Sequence, residues 1–301
     1  MNKLANRVLR CPLCHSELMP MAKTWQCTGD NSQNNPQSNS PNRQHSFDVA
    51  KQGYVNLLPV QHKKSKNPGD TEQAVLARQR FLSAGYYQVL ADGLQDFCQQ
   101  FISDIPQRNW LDIGCGEGYY TERFLQLSPK HLLALDISKS AVIATAKRLK
   151  PFLATQACYP MVASASQVPV FDQSLNVISS IFSPILPNEF ARILADNGQV
   201  IIAKPAPNHL VQMREALFEQ VQAHDSDKFI DEMASHFTLG KEQRITHQIT
   251  VNSEALADVL TMTPYTYRAK PTNRQALMQR CEQLGELALT LDFVIYGFNK
   301  R

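Results

Sequence analysis

The chain has 301 residues, enough for one sizeable domain with an appendage or for two modest domains. With 43% hydrophobic and 19% charged residues it has the make-up of a globular protein with a substantial core, and its net charge of +3 neither demands a polyanion partner nor forbids a local basic patch. No run of eighteen apolar residues exists to span a membrane; Met1–Arg7 lacks a signal peptide's apolar stretch, and the seven cysteines are an odd number, so reduced thiols and a cytoplasmic location are expected.

Three of those cysteines fall in the first 27 residues. Cys11-Pro-Leu-Cys14 is followed by Cys27 after twelve residues and His45 after seventeen more. Two thiolates separated by two residues converge on one ion, and a second pair of ligands completes a tetrahedral Zn²⁺ site. His15 competes for the fourth position, but adjacent residues such as Cys14 and His15 converge poorly on one metal, so His45 is favoured. Four protein ligands make the site structural. A redox role for the Cys-x-x-Cys pair is disfavoured because no thioredoxin-like βαβ pattern surrounds it. Residues 30–44 are almost entirely Asn, Ser, Gln and Pro, and are expected to be a disordered insertion within a zinc-binding domain over residues 1–60.

Residues 61–106 read as a basic and helical linker. Gln61-His62-Lys63-Lys64-Ser65-Lys66 is a basic run, which on charge alone reads first as a solvated surface loop and second as a basic patch. Residues 72–102 place Val75, Leu76, Phe81, Leu82, Val89, Leu90, Leu94, Phe97 and Phe101 at helical intervals, with a break near Gly85 and an end at Pro106. From Asn109 the pattern alternates: strand Trp110–Ile113, helix Tyr119–Leu127, strand Leu132–Leu135, helix Ser138–Leu149, strand Val177–Phe182, helix Asn188–Leu194, and, after an Asn197-Gly198 turn, strand Gln199–Ala203. This predicts an α/β, Rossmann-like domain over 107–301 with a parallel sheet. The late β-prone run Leu289–Phe298 fits an antiparallel strand.

Asp112-x-Gly114-x-Gly116-x-Gly118 lies between the first strand and its helix. Glycines permit a sharp turn and close approach of a ligand to backbone, and the helix start offers free N–H groups. The third glycine comes one residue earlier than in a dinucleotide loop, which disfavours an NAD enzyme, and an acid precedes the first glycine by two. That variant resembles motif I of class I methyltransferases. The resemblance implies that S-adenosylmethionine lies here, Asp112 near its ammonium group and Gly114 and Gly116 beside its methionine portion. Asp136, 22 residues after Gly114, ends the second strand, where a carboxylate can accept both ribose hydroxyls. Ser164 and Ala165 follow the third strand, on the adenine side in that family; Ser183-Pro184 follow the fourth, at the rim for methyl transfer.

Taken together, Cys11-Pro-Leu-Cys14-His15, the segment from His45 through Tyr54-Val-Asn-Leu-Leu-Pro59 to Lys63, Pro68-Gly-Asp70, Leu111–Thr121 and Met262-Thr-Pro-Tyr-Thr-Tyr-Arg268 resemble the RlmA family, in its Gram-negative branch. The resemblance spans almost the whole chain. It implies a 23S rRNA guanine-N1 methyltransferase acting on a hairpin loop, with zinc on Cys11, Cys14, Cys27 and His45, and cofactor contacts from Tyr87, Gly116, Glu117 and His209. The partner it implies is 23S rRNA or a large-subunit assembly intermediate, and it leaves room for a homodimer. Candidate RNA contacts are the zinc module, Lys51, Lys63, Lys64, Lys66, Arg78 and Arg80 on phosphates, with Tyr54 or Tyr87 stacking on a base.

Guanine N1 carries a proton and lies on the Watson–Crick edge, so an unpaired or extruded base is required and the proton must leave. No Asp or Glu directly follows the fourth strand. His209 is a base candidate only by position, and the packing or helix-capping role of a lone histidine is preferred. The proton acceptor is therefore unassigned. Two rivals stand beside this reading: a methyltransferase of a small molecule, for which the zinc pair and basic run have no use, and a catalytically silent zinc-dependent RNA-binding protein, for which Asp112, the glycines and Asp136 have none.

Overall fold

The computed structural model describes residues 7–29, 44–62, 65, 67–105, 107–153, 158–219 and 228–301. The insertion at 30–44 lies outside the described residues except Gln44, as do Lys63, Lys64, Lys66 and Pro106.

The chain begins with a small antiparallel sheet of β1 (Leu18–Met19), β2 (Thr24–Cys27) and β3 (Ser46–Asp48). Next come β4 (Val55–Asn56), α1 (Glu72–Ser83) and α2 (Gln88–Phe101), with Thr71 capping α1 by accepting from the Ala74 amide at 3.2 Å. Gly85, at φ +88°, makes the break between the two helices. The alternating part follows as β5 (Asn109–Ile113), α3 (Tyr119–Leu125), β6 (His131–Asp136), α4 (Lys139–Arg148), α5 (Lys150–Leu153), β7 (Cys158–Val162), β8 (Leu175–Ile181), α6 (Pro187–Ile193) and β9 (Leu194–Pro205). The last elements are α7 (Val211–Leu217), α8 (Lys228–Met233), β10 (Phe237–Val251), α9 (Ser253–Met262), α10 (Tyr265–Arg268), α11 (Pro271–Leu284) and β11 (Leu287–Lys300).

Eight strands form one sheet in the order β10-β11-β9-β8-β5-β6-β7-β4. From β9 through β4 the strands run parallel; β11 is antiparallel to both β9 and β10. The strand order reverses direction at β5, which pairs with β6 on one side and β8 on the other, and ligands bind at the carboxyl ends of strands beside such a switch. Alternate side chains of the sheet feed opposite cores: Trp110 packs on the face of α2 and α3, Leu111 and Ile113 on the face of α6 and α8.

Several expectations shift. The Asn197-Gly198 turn is present, inside a β9 that begins earlier than expected, at Leu194: a Cβ on Gly198 would stand 2.3 Å from Leu194 Cγ, and the doubled-back residues fall at the register irregularity against β8 between Leu175 and Val177. The segment 1–60 is not separate from the rest, because β4 pairs with β7 inside the large sheet. The helical linker is packed onto the main domain, α1 along α9 and α2 against β10 and β11. The zinc module is stitched to the sheet by Arg10 N to Pro169 O at 3.0 Å and Phe171 N to Val8 O at 2.9 Å, with Trp25 edge-on to Tyr159 at 5.8 Å. Among the described residues no helix is long and apolar enough to cross a membrane.

Candidate active site and metal centre

The turn before β1, the end of β2 and the residue before β3 bring Cys11 and Cys14, Cys27, and His45 together, with their ligand atoms all within 4.8 Å of one another. Cys14 Sγ lies 3.7 Å from Cys27 Sγ, and His45 Nδ1 lies 3.6 Å from both Cys11 Sγ and Cys27 Sγ. A tetrahedral Zn²⁺ with Zn–S of about 2.3 Å would separate two thiolates by about 3.8 Å, so the donor set fits the ion. Backbone amides support the sulfurs: Leu13 N–H points at Cys11 Sγ (3.4 Å) and His45 N–H at Cys27 Sγ (3.0 Å). The register of β2 with β3, Gln26 opposite Ser46, explains why Cys27 and His45 meet despite their separation in sequence. His15 adopts φ +61° and is not in the cluster.

At the end of β5 the chain turns through Gly114 (φ +68°), Gly116 (φ +59°) and Gly118 (φ +86°), a run of left-handed backbone that side chains resist. Gly114 also has no room for a side chain: a Cβ there would stand 2.4 Å from Ser183 Cβ. Asp112 is 2% exposed, and both its oxygens are engaged, Oδ2 by the Thr121 hydroxyl (2.6 Å) and Oδ1 by the Ser179 hydroxyl (2.7 Å). Burial raises its pKa to about 6, against the pull of those two donors. Trp110 Nε1 donates to the same Ser179 (3.0 Å), so Asp112 is the hub of a buried polar network under the loop.

Asp136 closes β6 and accepts from the Ser138 amide at 2.8 Å and from the Gly116 amide at 3.1 Å. Burial raises it, while those two amides pull it back. Glu117 is 2% exposed, and its Oε1 has no hydrogen-bond partner among the described residues; burial raises this carboxyl too, with Arg78 opposing. Arg78, expected among the RNA contacts, lies over this loop. Its Nη2 pairs with Asp70 at 2.6 Å and reaches the Met262 carbonyl at 3.4 Å, and Nη1 would be 3.7 Å from a Cβ on Gly116.

Tyr87 and His209 meet in an aromatic nest. The Tyr87 hydroxyl and His209 Nε2 are 3.2 Å apart, Phe293 lies 4.6 Å from the His209 ring, and the Asp292 amide donates to Nδ1 at 3.4 Å. With Nδ1 as acceptor the neutral ring carries its proton on Nε2 and donates to Tyr87. His209 thus packs and orients; the cap position of α7 is Leu210, at φ +51°. Burial pushes Tyr87 far above its ordinary value. At 4% exposure Tyr87 is closed to a stacking base. Tyr54 is equally unsuited, at 6% exposure among Leu58, Val142, Ala146 and Val162.

Ser164 caps the short 3-10 turn Ala165–Gln167 and lines a cleft of about 300 Å³ between the zinc module and the end of β7, with Arg10, His15, Leu57 and Gln61. Lys51 is exposed in the turn after β3. Arg80 is held bidentately by Asp258 across α1 and α9. The end of β8, Ile181-Phe-Ser-Pro184, offers no ionisable side chain; Ser183 donates to the Ile113 carbonyl at 2.7 Å. Reading the sequence missed Tyr120, whose buried hydroxyl has no partner among the described residues, though its place two residues past the last glycine was a usable signal. The placing of Arg78 had no local signal, since it follows from α1 lying over the loop.

Two family models match the chain. One, described as a methyltransferase domain, covers residues 111–201, the segment from β5 into β9. The other, described as the N-terminal region of RlmA, covers residues 30–66 and so includes His45, β3 and β4. The chain is thus similar to the RlmA family in its N-terminal region and to methyltransferases in its central sheet. A 23S rRNA (guanine(748)-N(1))-methyltransferase of Streptomyces fradiae is 27% identical over 98% of this chain and 98% of its own length. Two relatives named provisionally as 23S rRNA (guanine-N(1)-)-methyltransferases, from Bacillus subtilis (strain 168) and Micromonospora griseorubida, are 25% and 26% identical. They cover 96% and 89% of this chain, and 96% and 90% of their own lengths. The RlmA match and the Cys/His cluster together make the first module a zinc ribbon, and the methyltransferase match makes S-adenosylmethionine the cofactor.

Proposed function

We propose that this protein transfers a methyl group from S-adenosylmethionine to N1 of a guanine in a hairpin loop of 23S rRNA. The observation that carries the reading is the union, in one full-length match, of a metal-ligating ribbon with a glycine loop at the switch point of the same sheet. The residues fit the cofactor: buried polar atoms of Glu117 and Tyr120 lack partners beside the loop, and Asp136 stands at the end of β6. When bound, S-adenosylmethionine supplies an electrophilic methyl group. The chain supplies alignment, the main demand of an in-line displacement.

Each element of the site has a role. Gly114 lets β5 and the Ser183 turn approach closely, which brings the rim of β8 next to the loop. Asp136 is oriented by two amides toward the ribose of the adenosine, and Ser164 with Ala165 flank the adenine side. Tyr87 and His209 wall the site with rings and exclude water. The zinc ribbon and exposed Lys51 engage the RNA backbone, holding the hairpin while an unpaired guanine enters at Phe182-Ser183-Pro184. Phe182 is 43% exposed there and offers a ring for stacking. Naked 23S rRNA or an assembly intermediate can be the substrate, and a homodimer is compatible with either.

The test is to incubate purified protein with 23S rRNA and S-adenosylmethionine and digest the RNA to nucleosides. The expected product is 1-methylguanosine. Methyl on N2 or N7, or on no nucleoside, contradicts the proposal.

A further inference from the structure

Thr121 and Ser179 each donate to one oxygen of Asp112, whereas another carboxylate beside the loop has an oxygen with no donor among the described residues. Glu117 directly follows Gly116, is 2% exposed, and keeps Oε1 without a partner. The Tyr120 hydroxyl, on the first turn of α3, is likewise enclosed and unpartnered, with its ring edge-on to Phe182 at 6.3 Å. Arg78 lies over the same loop. Its Nη2 is committed to Asp70 and the Met262 carbonyl, whereas Nη1 makes no hydrogen bond among the described residues and borders Gly116.

Buried polar groups left unpaired are costly and call for a ligand or water to complete them. Around a single glycine the protein therefore offers a guanidinium with a spare donor, a carboxylate with a spare acceptor, and a hydroxyl with both. A neutral base answers neither charge. An α-amino acid head group, with carboxylate and ammonium on one carbon, answers both. We infer that Arg78 takes the carboxylate, and Glu117 with Tyr120 the ammonium, of the methionine end of S-adenosylmethionine, which makes Arg78 and Tyr120 positioning residues for methyl transfer. The inference rests on the proposed function. It moves Arg78 from the RNA to the cofactor, and it ties the head group through the Tyr120–Phe182 contact to the rim where the base enters.

A pair of ligands tests it: S-adenosylhomocysteine carries the amino acid end, and 5′-methylthioadenosine lacks it. Titration calorimetry on wild type, Arg78→Gln, Glu117→Gln and Tyr120→Phe should show S-adenosylhomocysteine weakened by about tenfold or more in each variant. Binding of 5′-methylthioadenosine should stay unchanged. Apo Tyr120→Phe should melt no lower than wild type, since the hydroxyl has no partner to lose. Tyr120→Phe retains the ring and carries the test even where Arg78→Gln fails to fold. Equal weakening of both ligands, or weakening of neither, overturns the inference. Wild-type protein that binds neither ligand overturns the methyltransferase reading itself.

Discussion

The zinc ribbon and the glycine-loop site solve the same problem, holding a few polar groups in place, by opposite means. The ribbon has three strands of two to four residues, and its larger apolar side chains, Val8, Leu9, Leu18 and Trp25, bury against the sheet of the main domain and not within the module. What fixes its interior is the ligand cluster, so folding of the ribbon and metal binding are one event. The loop, by contrast, hangs from β5 and β6, strands buried on both faces, and its geometry is built before any ligand arrives. Removing the metal should therefore disable one region and spare the other.

The largest expected effect follows from that contrast. Cys14→Ser, or treatment with a strong chelator, should abolish methylation of 23S rRNA while S-adenosylhomocysteine affinity stays within about threefold of wild type, because the ribbon supplies no residue to the loop. Zinc content, calorimetry and methyl incorporation measured on one preparation check this. Equal loss of cofactor binding and methylation would erase the division of labour.

Much of the loop and of the ligand set was legible because each is carried by local spacing. Glycine positions, a strand-ending acid and Cys-x-x-Cys are written within a few residues, and His45 needed only the strand pairing that closes the ribbon. What escaped depends on distant partners. β10, Phe237–Val251, is mostly exposed and includes Lys241-Glu-Gln-Arg244; it is a strand because β11 pairs with it along its length, and its own apolar content would not reveal it. Val55-Asn56 joins the main sheet only because β7 presents an edge. Tyr54 read as a base-stacking ring, yet α4 covers it. Arg78 read as one of a basic set, yet α1 carries it over Gly116 to Asp70.

A second prediction probes the preformed loop. Gly114→Ala forces a Cβ to within 2.4 Å of Ser183 Cβ at a left-handed φ of +68°. The expected loss is about 4 kcal/mol in urea unfolding, the sum of the left-handed penalty and overpacking. A loss below about 1 kcal/mol would mean that the Ser183 turn is free to move.

The smallest effect concerns the network under the loop. Asp112 is raised from 3.8 to about 6 by burial, so the folded state binds its proton more tightly than the unfolded state. The sign follows: the stabilisation is full below about pH 3, where both states are protonated, and is lost as pH rises to and through 6. Relative to Asp112→Asn, wild type should lose about 3 kcal/mol of stability between pH 3 and pH 7. A flat difference across that window would show that Thr121 and Ser179 fully offset the burial.

Primer extension on 23S rRNA tests the central claim most directly, since a methyl on guanine N1 blocks the Watson–Crick edge that reverse transcriptase reads. Unmodified rRNA incubated with the zinc-loaded protein and S-adenosylmethionine should give one new stop beside a guanine in a hairpin loop, and the same reaction with Cys14→Ser should give none. Full read-through with active, cofactor-binding protein would contradict the account.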